Sequence, residues 1–413
     1  MGIDSSFKHY DILIVGGGAA GFFTAINVGT LDTNLKIAIL EKNKEVLSKV
    51  RISGGGRCNV THAEFIPKEL SKNYPRGERE LLGPFHTFMT GDTMAWFEER
   101  GVVLKIEEDG RVFPESDTSQ SIIDCFMNEV EKRNIPIYYK TAVHTIYNKD
   151  SYWVLESNTT TFTCDHLVIA TGSSPKMWQV LQKMDIPVTP AVPSLFTFNC
   201  PDHAILSLMG LTTQVTATIK DTKLKSTGPL LITHWGFSGP AILRLSAWGA
   251  LILNKLNYSF IVVVNWLIDQ RTDEVYSYLL SLKESIPKQS PYTSKVFDIP
   301  KRLWHYIVET AGIPKGFNWA DISNKQLQAL SATLTASEFP IEGKSTFKEE
   351  FVTAGGIDLK EVHFKTFSSK QFENLYFAGE VLNIDAITGG FNFQNAWTGG
   401  FIVAQAIASS MQE

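Results

Sequence analysis

Hydrophobic and polar positions along the chain sort into three textures. The first is a short, unbroken apolar run: Ile12 to Val15 closes a strand predicted over His9–Val15, and similar runs stand at Leu35–Leu40, Leu167–Ala170 and Leu375–Ala378. A run without alternation predicts a strand buried on both faces, as in a parallel sheet covered by helices. The second texture is period-two alternation rich in β-branched residues, at Thr212–Ile219 and Tyr258–Val264, which predicts antiparallel strands within residues 191–266. The third is helical, over Glu274–Ser285, Lys301–Thr310 and Asn324–Leu334, separated by loops carrying Pro287, Pro291, Pro300 and Pro314. Short strand candidates, Glu338–Ile341 and Glu350–Thr353, carry the chain back to the first texture. No internal repeat interrupts this order. The expected organisation is an α/β nucleotide domain of residues 1–190 completed by 345–413, a β-rich insert of 191–266 and 336–344, and a helical subdomain of 267–335.

The first apolar strand ends on Gly16-Gly17-Gly18-Ala19-Ala20-Gly21, a helical stretch follows, and the second strand ends on Glu41. Strand, glycine turn, helix and strand form a βαβ unit in which each residue has a physical task. Gly16 permits the tight turn, Gly18 lets backbone approach a pyrophosphate, and Gly21 lets helix and strand pack closely. Ala19 and Ala20 open the helix, whose N-terminus offers free N–H groups and a positive dipole end. Glu41, with Lys42 beside it, is placed to accept hydrogen bonds from a ribose, and its charge disfavours a 2′-phosphate. FAD and NAD both satisfy this fingerprint. A single such fingerprint in the chain favours the retained cofactor, FAD, with NADH or NADPH as a transient reductant. Ala170-Thr171-Gly172 and Ala378-Gly379-Glu380 put small residues and an acid at two further strand ends, the edge where open α/β sheets bind ligands. Thr388-Gly389-Gly390 precedes a helix whose apolar face is expected to be Phe393, Ala396, Trp397, Gly400, Ala404 and Ile407. Its dipole would stabilise an anionic reduced flavin.

Composition narrows the class. The chain of 413 residues is 44% apolar and 20% charged, ordinary globular values that set aside fibrous and disordered readings. A net charge of −5 offers no general surplus for a phosphate backbone, so the expected partner is a small molecule and not nucleic acid, with room only for a local basic groove. Cys58, Cys125, Cys164 and Cys200 are widely spread with no C-x-x-C pair, which fits neither a disulfide framework nor a zinc site. No metal and a reducing, cytoplasmic compartment are expected. No apolar run reaches the roughly 20 residues that span a bilayer. Met1–Ser6 matches the loose myristoylation pattern without a second anchor.

Three blocks resemble a known group: Ile52-Ser53-Gly54-Gly55-Gly56-Arg57-Cys58-Asn59-Val60-Thr61, then Thr233-His234-Trp235-Gly236-Phe237-Ser238-Gly239-Pro240, then Ala378 to Leu382 running on to Thr388-Gly389-Gly390-Phe391-Asn392. They are similar to the bacterial three-domain FAD flavoproteins labelled NAD(FAD)-utilising dehydrogenases, aminoacetone-oxidase-like or BaiN-like. The resemblance covers essentially the whole chain. It implies a Rossmann-like two-dinucleotide-binding FAD domain with an inserted β-barrel-like domain carrying a small helical subdomain, and an FAD-dependent oxidoreductase. It also implies that Gly55, Arg57 and Asn59 lie beside the cofactor, with Phe391 and Asn392 at its flavin end. Val143, on the strand before Ala170, would contact adenine through its backbone. His62 stands where the family pattern has Asn, and Asn383 and Asn395 stand where it has Asp and Trp.

Two reaction classes stay open: hydride transfer at flavin N5 to or from a small organic substrate, including amine oxidation with oxygen, and RNA modification or non-catalytic flavin binding. His62, His234 and Asn395 are the candidates for the substrate side. Gly236-Phe237-Ser238-Gly239-Pro240 lacks the G-x-S-x-G elbow of a hydrolase. Cys58, beside Arg57, is a candidate for a lowered thiol pKa or for plain packing.

Overall fold

The computed structural model describes residues 7–149, 151–345 and 352–411. The myristoylation-like start and the Glu350 end of one strand candidate lie outside them. The chain forms two compact units, one of the residues up to Val192 together with those from Val352 on, the other beginning at Pro193.

The first unit is built on β1 (Lys8–Val15), α1 (Ala19–Leu31), β2 (Ile37–Leu40), β3 (Ile137–Tyr138), β4 (Thr161–Ile169), β5 (Leu375–Phe377) and α2 (Phe391–Ser410). The strands lie side by side in the order β5-β4-β1-β2-β3, all parallel, with Val15 level with Leu40 on one side and Ile169 on the other. Ile12, Leu13 and Ile14 are fully buried, as their unbroken apolar run requires. Each contributes about 1.5–3 kcal/mol by leaving water.

Three sequence expectations need correction here. The strand expected at Leu167–Ala170 begins at Thr161 and stops at Ile169. Its first half pairs with Tyr152–Ser157, whose antiparallel partner is Val143–Lys149. Val143 is therefore not on the strand before Ala170; it opens the outer arm of a hairpin two strands back. The third concerns α2, expected to show one apolar face. Phe393 is only partly buried, while Gln394, Asn395, Thr398 and Ile402 are buried as well. The helix is covered nearly all round, and α1 crosses it at close range: a Cβ on Gly400 would stand 3.0 Å from Thr24 Oγ1 and 3.1 Å from the Ala20 carbonyl oxygen.

Residues 48–132, which the apolar pattern left unassigned, cover this helix. They hold the helices Ser48–Gly56, Glu78–Phe85, Thr90–Glu98 and Gln120–Lys132. A three-stranded sheet of Thr61–His62, Arg111–Pro114 and Leu104–Ile106 accompanies them. Aromatic rings join the layers, with Trp397 of α2 5.2 Å from Phe23, 5.7 Å from Phe97 and 5.6 Å from Phe126. Such pairs add about 0.5–1.5 kcal/mol each beyond burial.

In the second unit seven antiparallel strands follow the spatial order Ser337–Glu342, Ser259–Asn265, Thr212–Ile219, Lys225–Ile232, Gly236–Ser238, Thr197–Asn199, Lys344–Ser345. Helices Thr272–Ser285, Lys301–Thr310 and Asn324–Thr335 share its core, which runs through Trp266, Leu279, Leu303, Trp319 and Leu334. No helix among the described residues is long and apolar enough to cross a membrane.

Candidate functional site

At the carboxyl ends of β1, β2, β4 and β5 the chain leaves a cavity, because β1, β4 and β5 run into small residues there. Gly16, Gly18, Ala19 and Ala20 line it from the first turn, Glu41 and Lys42 from the second, Ala170, Thr171 and Gly172 from the third, and Gly379 and Glu380 from the fourth. Asn392 closes it from the first turn of α2.

The three glycines of the turn differ in physical role. A Cβ on Gly21 would stand 2.0 Å from the Gly16 carbonyl oxygen, and one on Gly16 would stand 2.4 Å from that of Ala170, with Gly16 at a φ of +118°. Both are glycine because backbone crosses there. Gly18 has no protein atom within 4 Å of the Cβ position, and its backbone is extended (φ −98°, ψ −170°). The space beside it belongs to the cavity.

Gly18 is also the N-cap of α1 and makes no side-chain cap, and the first turn holds no acidic residue. The first intrahelical bond is Phe22 N–H to the Gly18 carbonyl (3.0 Å). The N–H groups ahead of it, with the helix dipole, make a place for an anion.

Glu41 is 8% exposed. Its Oε2 accepts the Gly17 N–H and its Oε1 the Asn43 N–H, each at 2.8 Å. Each oxygen keeps a further acceptor position, so the carboxylate is fixed yet able to receive hydroxyl donors. Thr171 Oγ1 is buried without a partner. Across the cavity Lys49 reaches Glu380 Oε2 and lies 3.4 Å from Ser173 Oγ. Lys49 and Ser173 carry no motif that sequence reading could use; only the fold brings them to the glycine turn.

Other predicted residues stand elsewhere. Arg57 does not line the cavity: its guanidinium bonds Glu107 (2.6 Å), approaches Asp117 (3.4 Å) and covers the Phe113 ring at 3.9 Å. Asn59, with its amide oriented by the hydrogen-bond network, accepts the Gly390 N–H and donates to the Thr61 carbonyl, both at 3.0 Å. It holds the turn before α2. Gly390, at φ +92°, passes so close to Thr61 that a Cβ would meet its carbonyl at 2.6 Å. Gly55, Val143, Gly389 and Phe391 are also absent from the lining.

His62 sits at the same turn, its ring stacked on Phe391 at 4.6 Å and its Nδ1 3.2 Å from the Gly389 carbonyl oxygen. Asn395 is fully buried in α2, and neither amide atom finds a partner. His234 belongs to the other unit, where it is exposed and edge-on to Trp235.

At Cys58 the structure favours packing over a reactive thiol. Neighbouring Arg57 turns away, and complete burial pushes the thiol up to about 12. We expect iodoacetamide at pH 8 to leave Cys58 unmodified in the folded protein and to label it after denaturation, read by peptide mass spectrometry. Rapid native labelling would contradict the burial.

The HI0933-like protein Rossmann domain model matches residues 10–406. The ribosomal RNA dihydrouridine synthase of Haemophilus influenzae is 30% identical over 97% of this chain and 99% of its own. The protein of the same name from Escherichia coli is 28% identical over 98% and 99%. The 3-dehydro-bile acid delta(4,6)-reductase of Clostridium scindens is 25% identical over 96% and 98%. The chain belongs to the HI0933-like Rossmann-domain family, the flavoenzyme oxidoreductases that its Gly54–Asn59 and Thr388–Asn392 blocks resemble.

Proposed function

We propose that this protein is an FAD-dependent reductase of an electron-poor carbon–carbon double bond, with uracil in ribosomal RNA as its substrate. The observation that carries the cofactor is the open space beside Gly18, at a helix N-terminus with no acidic residue of its own and within a cavity shared with the fixed carboxylate of Glu41. These residues suit the parts of FAD that need them. The start of α1 would hold the diphosphate, Glu41 the adenosine ribose, and Lys49 would offset the charge that Glu380 and the diphosphate bring together. The partnerless Thr171 Oγ1 supplies one more polar atom. Bound and reduced, FAD supplies a hydride; NADH or NADPH would renew it without a second nucleotide fold of the chain's own.

The substrate reading is supported by the shared name of the two relatives at 30% and 28% identity, each matched over nearly its whole length. Reduction of uracil at its conjugated double bond and reduction of a steroid dienone call on the same hydride chemistry. The Clostridium scindens relative therefore favours a second reading, a small unsaturated ketone. The overall charge of −5 agrees better with that second reading.

The test begins with chromatography of the cofactor released by heat, expected to be FAD. Stopped-flow reduction by NADH, NADPH and a panel of amines follows, then addition of unmodified ribosomal RNA or an enone. Dihydrouridine detected by mass spectrometry supports the first reading. Reoxidation only by the enone supports the second, and reduction by amines with oxygen as acceptor defeats both.

A further inference from the structure

A cavity of about 650 Å³ opens in the second unit beneath the loop from Tyr292 to Lys301, and nothing so far gives it a task. Its volume lies in the range of pockets that enclose a small organic group. Its walls are mixed: Ile299 and Trp304 are buried and Val296 and Phe297 partly exposed, while Thr293, Ser294 and Asp298 add polar groups. Three rings run in series beside it. Tyr278 meets Phe297 edge-on at 5.5 Å, and Phe297 meets Trp304 at 5.9 Å. Tyr278 is 43% exposed, a large amount of uncovered ring for a residue of a packed helix.

The charge here runs against that of the whole chain. Between residues 286 and 304 the cations are Lys288, Lys295, Lys301 and Arg302 and the only anion is Asp298, a balance of 4 − 1 = +3 in a chain of net charge −5. Arg302 is occupied by the Ser207 carbonyl (2.8 Å). Lys295 and Lys301 line the cavity. Lys295 lies 3.4 Å from Asp298, but both side chains are almost wholly exposed, and such pairs hold their partners weakly. Aromatic rings beside a recess that also offers polar groups, with lysines at the rim, are what an unstacked base and its flanking phosphates require.

We propose that this cavity docks single-stranded RNA, seating one unstacked base against Phe297 while Lys295 and Lys301 hold the adjacent phosphates. The inference rests on the ribosomal RNA reading of the function. Stacking with few base-specific donors makes the site tolerant of sequence, so it contributes affinity and leaves selection of the reacting base to other residues.

The test uses full-length flavin-loaded protein and a fluorescein-labelled ten-nucleotide oligouridine, with anisotropy titrations across a salt series. Lys295→Glu/Lys301→Glu is expected to weaken binding at least about tenfold and to flatten the slope of log affinity against log salt by about 1.4, about 0.7 for each lost phosphate contact. Asp298→Asn is expected to tighten binding, a change of opposite sign that general damage would not produce. Both lysines are exposed, and a glutamate in the first turn of the Lys301–Thr310 helix suits its dipole, so the variant should fold. Flavin content should stay at the wild-type level. Unchanged affinity and slope in the double variant overturn the proposal.

Dihydrouridine formation on ribosomal RNA separates this proposal from the reading beneath it. Should the wild type form dihydrouridine and the double variant match its KM, the docking site is wrong and the function stands. Should the wild type form none, both fall.

Discussion

Gly18→Val is expected to yield a folded protein that retains almost no flavin. The valine side chain meets no protein atom at its Cβ, and the extended backbone at Gly18 suits a β-branched residue, so the fold has no reason to fail. Its methyl groups would fill the space where a diphosphate approaches the start of α1. A loss of about 3 kcal/mol or more, above a hundredfold in Kd, follows from displacing the anion from those N–H groups. Far-UV circular dichroism should match the wild-type apoprotein, the proper reference because bound cofactor itself raises Tm. Gly21→Val is the contrast: its Cβ would stand 2.0 Å from the Gly16 carbonyl oxygen, so it should fail to fold. Glu41→Ala should weaken FAD by a smaller amount, about 1.5–3 kcal/mol, since it removes an acceptor without filling the cavity. Full flavin occupancy in the Gly18 variant would refute the assigned site.

Asp385→Ala should cost the first unit about 3–5 kcal/mol, a fall in Tm on the order of 10 °C. Arg76 forks onto Asp385 through Nε and Nη2, with Asp385 1% and Arg76 11% exposed, so removing the carboxylate takes a bidentate charged partner from a buried guanidinium. The effect should reach the cavity. The next residue, Ala386, is held at its N–H by Asn392 Oδ1 (3.0 Å) and at its carbonyl by Asn392 Nδ2 (3.3 Å), and Asn392 lines the site. Calorimetry of the variant and wild-type apoproteins checks the first effect. A Tm within about 2 °C of wild type would show that the pair is not holding the loop.

Four of the five parallel strands were legible because burial on both faces leaves a short apolar run, whereas Ile137–Tyr138 is too short to show one. The glycine turn was legible because backbone crossings admit no side chain, as Gly16 and Gly21 show. Residues 48–132 were not: the short helices Ser48–Gly56 and Thr90–Glu98 have no clear apolar face and two-residue strands such as Thr61–His62 are too short for a period, although Gln120–Lys132 does bury one face through Ile122, Ile123, Phe126 and Val130. Arg57 and Asn59 were placed by resemblance alone. One is taken up by Glu107 and the other by the turn at Gly390, partners 50 and 331 residues away in the chain (107 − 57 and 390 − 59) that no local pattern could link. Lys49 was overlooked for the same reason, since its partner Glu380 is 331 residues distant (380 − 49).

The sheet of the first unit places β5 against β4 and α2 against α1, although residues 193–345 stand between them in the chain. On the ribosome, β1, α1 and β4 are therefore made long before the segments that cover them. Until β5 and α2 emerge, the side of α1 that meets α2 is open to solvent and β4 lacks a neighbour on its β5 edge along Leu167–Ile169, a state in which apolar surface is exposed to aggregation. The inserted unit has a core of its own and can form during this interval. The cofactor cavity cannot, because Gly379, Glu380 and Asn392 are made only after the insertion. A flavin can therefore be held there only after the insertion has been translated, and the open edge of β4 waits for as long as that takes.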